Sequence, residues 1–148
     1  MIIGSRIKRG AARENPNLTM GNMSAKKEPR AFTNFDTTTP LDHMMALQSM
    51  KDNKNLFYMF LNRFRTQTLI THLNQITLAM DSQNMSKLNQ SCHALKASAG
   101  YIGAGLIHYD CYFMQDFYAK KDYNSMRQRY SRLIENSCEF ISFSKEFM

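Results

Sequence analysis

The chain has 148 residues, of which 43% are hydrophobic, and its formal net charge at pH 7 is +7. This length and composition fit one compact domain, and no run of about 18 apolar residues occurs, so no transmembrane helix is expected. With only three prolines and six glycines, long uninterrupted helices are predicted. The three cysteines, an odd number, do not indicate a disulfide framework, and we predict small buried residues at Cys92, Cys111 and Cys138.

Residues 1–38 are rich in Gly, Asn, Thr, Ser and basic residues and lack helical periodicity. Their net charge is +4, because three acidic residues oppose seven basic ones: Arg6, Lys8, Arg9, Arg13, Lys26, Lys27 and Arg30. This composition predicts a solvated, extended arm. The alternative is an arm that binds an acidic protein surface. A nucleic-acid partner is disfavoured because no recognition motif or interleaved aromatic residue accompanies the charge, and no membrane partner is expected.

Residues 39–148 show apolar positions at spacings of three and four, which predict helices. A short helix is predicted to start at Thr39 and Pro40, where Thr39 can cap and Pro40 suits the first turn. A long helix follows over about 56–80, and another covers about 106–119. The third helix lies between these two, and a final helix follows the turn at 120–122. The predicted fold is all-α, an antiparallel four-helix bundle with a short additional N-terminal helix and an extended basic arm.

The third predicted helix has two different faces. Its apolar stripe consists of Met85, Leu88, Cys92, Leu95, Ala99 and Ile102. A second ridge beside this stripe consists of Asn89, His93, Lys96, Ala97 and Gly100. Histidine is a nucleophile at cellular pH, and small neighbours leave room for a large molecule to approach it. This ridge is therefore the candidate functional surface.

The residues that follow His93 resemble the histidine phosphotransfer (HPt) domain of multistep phosphorelays, whose usual pattern is His-x-Leu-Lys-Gly-Ser-x-x-x-x-Gly-Ala. The residues that match without a gap are His93, Leu95, Lys96, Ser98, Gly103 and Ala104. Ala97 departs from the pattern, because most members carry glycine there. The similarity extends over about the last hundred residues and includes the helix before the motif and the two after it.

This resemblance implies that His93 accepts a phosphoryl group from the aspartate of a response-regulator receiver domain and passes it on. It also implies that Lys96 neutralises charge on the phosphoryl oxygens and that Gln115 contacts the imidazole. The partner would dock over Asn89, Ala97 and Gly100. A hybrid histidine kinase would act upstream. No cofactor or metal site of its own is expected, since Mg²⁺ would come from the receiver domain.

The chain carries no nucleotide-binding fingerprint, so we expect a phosphoryl carrier rather than a kinase. The alternative is a non-catalytic structural or adaptor subunit that uses the bundle and the basic arm on an acidic surface such as a microtubule. The methyl group that Ala97 adds and the length of the arm keep this alternative open. The first apolar stretch is too short for a signal peptide, so a cytoplasmic protein is expected, with the nucleus or a large cytoskeletal assembly as alternatives.

Three other polar residues are predicted to lie on the surface, namely His72, His108 and Asp110. Three glycines follow the histidine within six residues, at Gly100, Gly103 and Gly105. Each glycine destabilises a helix interior by about 1 kcal/mol relative to alanine, so a structural or functional role is expected to compensate for this cost. Close packing of helices and clearance for a docking partner both remain open from the sequence.

Overall fold

The computed structural model describes residues 34–147, and the part of the predicted arm before residue 34 lies outside this range. The α-helices are α1 (His43–Ser49), α2 (Lys54–Arg63), α3 (Leu69–Asp81), α4 (Met85–Ile102), α5 (Gly105–Ala119) and α6 (Tyr123–Ser144). A π-helical turn, Phe64–Thr68, joins α2 to α3, and a 3₁₀ turn, Lys145–Phe147, follows α6. Within residues 34–147 the protein is thus all-helical, with five helical segments packed together. None of these helices is long and apolar enough to cross a membrane.

The first helix begins later than the sequence predicts. Asp42, not Thr39, is its N-cap, because an Asp42 carboxylate oxygen accepts a hydrogen bond from the backbone N–H of Met45 at 3.1 Å. The other carboxylate oxygen accepts from the backbone N–H of Asp36 at 2.8 Å. The Thr39 hydroxyl instead donates to the carbonyl of Leu41. A carboxylate that satisfies backbone donors on both sides of the helix start fixes α1 at His43–Ser49.

The π-helical turn lets the buried residues before it and after it face the same side of the long second helical segment. The buried stripe of α2 continues to Phe64, the first residue of the π-helical turn, and the stripe of α3 begins at Leu69; both residues belong to the core. In a regular α-helix a step of five residues would turn Leu69 about 140° away from the stripe. The turn absorbs the extra residue, and the Leu69 N–H donates to the carbonyl of Phe64. Within the same turn, Arg65 donates to the Ser144 hydroxyl at 2.7 Å and to the Ile141 carbonyl at 2.9 Å, which ties the turn to the end of α6.

The core lies between the long helices, where α4 packs on α3 and α5, and α5 packs on α6. The predicted stripe of α4 is buried from Leu88 to Ile102, so its direction is confirmed. Two of the predicted core cysteines, Cys92 and Cys111, are buried, and burial together with the neighbouring Cys92 thiol raises the pKa of Cys111. The prediction for Cys138 is wrong. It is exposed, because the buried side of α6 passes through Ser137, one residue and about 100° away.

Two of the three glycines are explained by close packing. Gly103 ends α4 with a positive φ of 84°, and a Cβ atom there would lie 2.6 Å from the carbonyl oxygen of Asp42. The backbone N–H of Asp42 donates to the Gly103 carbonyl at 2.7 Å, which joins the start of α1 to the end of α4. A Cβ at Gly105 would lie 2.6 Å from Cβ of Phe35. Phe35 belongs to the segment 1–38 and is buried against α5.

Candidate functional site

His93 stands apart from its surroundings on α4. Its side chain is exposed, and it forms no hydrogen bond, ion pair or ring contact within residues 34–147. The helix holds it there because the buried stripe passes through its neighbours Cys92 and Leu95, leaving position 93 on the outer side. Both ring nitrogens are therefore open to an approaching molecule.

The other three histidines of the chain are engaged. His43 is packed between two aromatic rings, and its Nε2 is buried without a hydrogen-bond partner in the described part of the chain. His72 is half-buried, and its Nδ1 donates to the carbonyl of Thr68 at 2.8 Å. His108 is buried, and its Nδ1 donates to the carbonyl of Lys96 at 3.0 Å. Of the four, His93 is the one that is exposed and makes no hydrogen bond, ion pair or ring contact within residues 34–147.

Lys96 lies one helical turn after His93 and is half-buried. Its ammonium group lies 5.6 Å from the ring centroid of Tyr112 on α5, a cation–π distance. Its carbonyl accepts the hydrogen bond from His108. These contacts tie the turn of α4 that carries the ammonium group to α5. The result is a compact positive charge on the turn of α4 that follows the exposed imidazole.

Gln115 does not make the contact that the resemblance implies. Its Nε2 donates to Oδ1 of Asn89 at 3.3 Å, and no hydrogen bond to His93 is present. Its Oε1 is buried and has no partner within residues 34–147. Gln115 thus joins α5 to the turn of α4 that precedes the histidine, and it keeps an unused acceptor next to that turn.

The predicted docking surface is smaller than expected. Ala97 is exposed and Asn89 is half-buried, so both can meet a partner. Gly100 is buried, which corrects its place on this surface. The reason is that α4 buries a wide arc near its C-terminal end, where Ala99 and Gly100 are both covered.

Sequence reasoning missed the part of α5 that supports the site. His108, which it placed on the surface, is 3% exposed, so that prediction is wrong. His108, Tyr112 and Gln115 are spaced by four and three residues and therefore share one side of α5, the side that contacts α4. Counting back from Gln115 in helical steps could have placed all three beside the histidine helix.

Asp110 is also buried rather than exposed, at 0% relative accessibility. One of its carboxylate oxygens accepts from Nε of Arg129 at 2.8 Å and the other accepts from Nδ2 of Asn136 at 2.6 Å. The guanidinium of Arg129 also lies over the ring of Phe113, 4.6 Å from its centroid. Burial raises the pKa of Asp110 above its ordinary value even though Arg129 and Asn136 oppose the shift. This network fastens α5 to α6 and lies apart from the exposed imidazole.

The contribution of Asp110 to stability is expected to grow as the pH falls. Because its pKa is higher in the folded chain than the ordinary 3.8, the folded state binds a proton that the unfolded state has released. This stabilisation is full below the ordinary pKa and is lost as the pH rises through the folded-state value. Urea unfolding of wild type and Asp110→Asn at pH 7 and at about pH 4, close to the ordinary pKa of aspartate, measures it. The free energy of unfolding of wild type, relative to that of the variant, should be larger at the lower pH. An equal difference at the two pH values would contradict the raised pKa of Asp110.

No group of three or more His, Cys, Asp or Glu side chains in residues 34–147 is placed to hold a metal ion. Comparison of the chain with models of protein families, with curated proteins and with solved structures finds no match. The chemistry of the site therefore rests on its own residues. They offer the exposed nucleophilic ring of His93 and the ammonium group of Lys96 one helical turn later. Ala97, which is small and exposed, follows directly on the same ridge.

Proposed function

We propose that the protein is a phosphoryl carrier of the histidine phosphotransfer type, in which His93 accepts a phosphoryl group from the aspartate of a receiver domain and passes it on. The observation that carries this proposal is the difference among the four histidines. Three have engaged or buried rings, whereas His93 is exposed and unpartnered within the described residues. It also lies within the motif that resembles the family.

The architecture supports the same proposal. We propose that the segments 54–81, 85–102, 105–119 and 123–144 form an antiparallel four-helix bundle, with α1 covering one end. Their connections have only two or three residues, which favours antiparallel neighbours. Contacts run from α3 to α4, α4 to α5 and α5 to α6, and α3 also contacts α6, as expected of a closed bundle.

The transfer needs little from the carrier. A neutral imidazole nitrogen of His93 attacks the phosphorus of the aspartyl phosphate, and the P–O bond to the carboxylate breaks as the P–N bond forms. The carboxylate leaves as an anion, and the phosphorylated ring, an imidazolium cation at first, releases its N–H proton to water because the side chain is exposed. Lys96 can place its ammonium group near the phosphoryl oxygens and lower the cost of their negative charge. The reverse sequence hands the group to the next receiver.

The partners of such a carrier are response-regulator receiver domains, with a hybrid histidine kinase upstream. Mg²⁺ would be held by the acidic site of the receiver. The exposed ridge of Asn89, His93 and Ala97 is the surface on which a receiver would dock, and a transient encounter needs only a modest interface. Gln115, through its hydrogen bond to Asn89, would position this ridge.

The proposal is tested by phosphoryl transfer from receiver domains labelled at their aspartate, with the rate measured for variants of Lys96. Wild type should become labelled, and Lys96→Ala should accept label about ten- to a hundredfold more slowly. Lys87→Ala, which removes an exposed ammonium group elsewhere on α4, should match wild type. Equal rates for Lys96→Ala and wild type would contradict the role of Lys96.

The absence of transfer from every one of several receivers, with circular dichroism showing a folded helical chain, would contradict the carrier function itself. The alternative would then be a structural or adaptor subunit that keeps the fold and binds through its basic arm. That protein would need the arm and would tolerate the loss of His93.

A further inference from the structure

The outer side of α3 carries almost no charge. From residue 66 to residue 80 the chain has no Asp, Glu, Lys or Arg, and this run of fifteen residues is the longest of its kind in a chain that is 21% charged. It covers all of α3 except the last residue, Asp81. The solvent side of a surface helix usually carries charged residues. The outer side of α3 is therefore suited to contact with another protein surface.

Large apolar side chains remain exposed on this side. Ile70 is 40% exposed and Leu78 is 68% exposed, whereas Leu69 and Ile76, which point to another side of the helix, belong to the core. Asn74, also exposed, lies midway between the two exposed apolar residues. Residues four positions apart are neighbours on a helix surface, so Ile70, Asn74 and Leu78 form one continuous row, which we call the α3 ridge.

The α3 ridge is symmetric about Asn74. If two copies of α3 pack antiparallel across a twofold axis at Asn74, Ile70 of each copy lies against Leu78 of the other, and the two Asn74 amides face each other. An amide has both donors and an acceptor, so two amides can bond to each other. At the ends of the ridge, Gln67 would face Asp81 and could donate to its carboxylate. The α3 ridge is thus complementary to a second copy of itself.

Charge also favours a second copy as the occupant. The chain has a formal net charge of +7, so two copies repel each other unless they meet where the surface is uncharged. The α3 ridge is such a surface. An acidic partner, in contrast, would find no basic side chain between Arg65 and Asp81.

We propose that the α3 ridge is the interface of a homodimer, in which two copies pack their α3 helices antiparallel about a twofold axis at Asn74. Each copy contributes the same surface, as in most dimers of identical chains. The ridge from Ile70 to Leu78 extends about 12 Å along the helix axis, so the contact is small. Small interfaces are transient, and we expect a dissociation constant of about 10–100 µM.

The dimer is independent of phosphoryl transfer. No residue of the α3 ridge belongs to α4 or α5, the helices that carry and support His93. The inference therefore does not rest on the proposed function, and variants of the ridge leave the imidazole and its neighbours unchanged.

The test is sedimentation equilibrium of the full chain from about 5 µM to about 1 mM. The mass of wild type should rise from that of one chain toward that of two. Asn74→Lys would bring two ammonium groups together at the axis and should remain a monomer throughout. Gln128→Lys adds the same charge at an exposed position of α6 and should dimerise like wild type. Raising NaCl from about 0.05 M to about 0.5 M should not weaken the dimer, whereas association through the basic arm would be lost.

The antiparallel arrangement has a test of its own. Ile70→Lys and Leu78→Glu should each weaken the homodimer at least about tenfold, because each places charges against apolar side chains of the other copy. An equimolar mixture of these two variants should form a heterodimer, since the new ammonium and carboxylate groups then face each other and the second pair stays apolar. Parallel helices would not bring the two new charges together.

The proposal is overturned if wild type is a monomer at about 1 mM, if Asn74→Lys dimerises like wild type, or if the mixture forms no heterodimer. A monomer that instead sediments with phospholipid vesicles, and loses this binding in Leu78→Glu, would assign the α3 ridge to a lipid surface and would also overturn it. Circular dichroism checks that each variant folds. All substituted positions are exposed, so the helical fold should be retained.

Discussion

Replacement of His93 by glutamine is expected to abolish transfer of a phosphoryl group from receiver domains to the chain. Glutamine has a similar length and keeps hydrogen-bonding capacity, but its amide nitrogen cannot attack phosphorus as an imidazole nitrogen does. Because the position is exposed and without a partner in the described residues, the fold should be unaffected. Label on the chain after incubation with a phosphorylated receiver should therefore fall to background.

The matched control is His72→Gln. His72 is half-buried, with its Nδ1 donating to the carbonyl of Thr68, and it should play no part in transfer. This variant should accept label at the wild-type rate. Transfer that persists in His93→Gln, or that is lost in His72→Gln while the fold is intact, would contradict the assignment of His93.

The largest loss of stability is expected from Arg129→Met. The variant keeps an apolar chain beside Phe113 but leaves the buried carboxylate of Asp110 with one hydrogen-bond partner, Asn136, and with the charge of Arg132, which forms no hydrogen bond to it. Breaking a buried ion pair by removing one member costs about 3–5 kcal/mol, because a charge is left without compensation. Arg129 is 20% exposed in its side chain, so screening by water is limited. Urea unfolding at neutral pH measures the change.

Two further variants separate loss of charge pairing from loss of packing. In Arg129→Met combined with Asp110→Asn the uncompensated charge is gone, so most of the lost stability should return. Arg127→Met, which removes an exposed arginine from the same helix, should change the free energy of unfolding by no more than about 0.5 kcal/mol. A double variant as unstable as Arg129→Met would show that the ion pair is not the cause.

Local patterns were sufficient to predict the helices. The all-α fold class, the stripe of α4 and the turn at 120–122 follow from apolar spacing and from the polar residues at the turns. In the second helical segment the buried residues Phe64 and Leu69 are five positions apart, a step that a regular α-helix does not keep on one face. That pair marks the phase change that the π-helical turn accommodates, although the pattern alone did not name the turn.

Contacts between distant segments could not be read from the sequence. Asp110 is a charged residue, and nothing near it along the chain indicates that Arg129 and Asn136 meet it in the interior. Phe35 likewise belongs to a segment without periodicity, and only the missing side chain of Gly105 makes room for it. The exposure of His93, in contrast, could be predicted from the sequence. On a regular helix the spacing of a residue from the buried stripe determines whether it faces solvent.

The measurement that tests the central claim most directly is the location of the phosphate on the chain after transfer from a labelled receiver. Acid-labile, base-stable phosphate distinguishes phosphohistidine, and peptide mapping then assigns it among His43, His72, His93 and His108. We predict that all of the label lies on the peptide that contains His93. Label on any of the other three histidines, or none on a folded chain that has met several phosphorylated receivers, would contradict the claim.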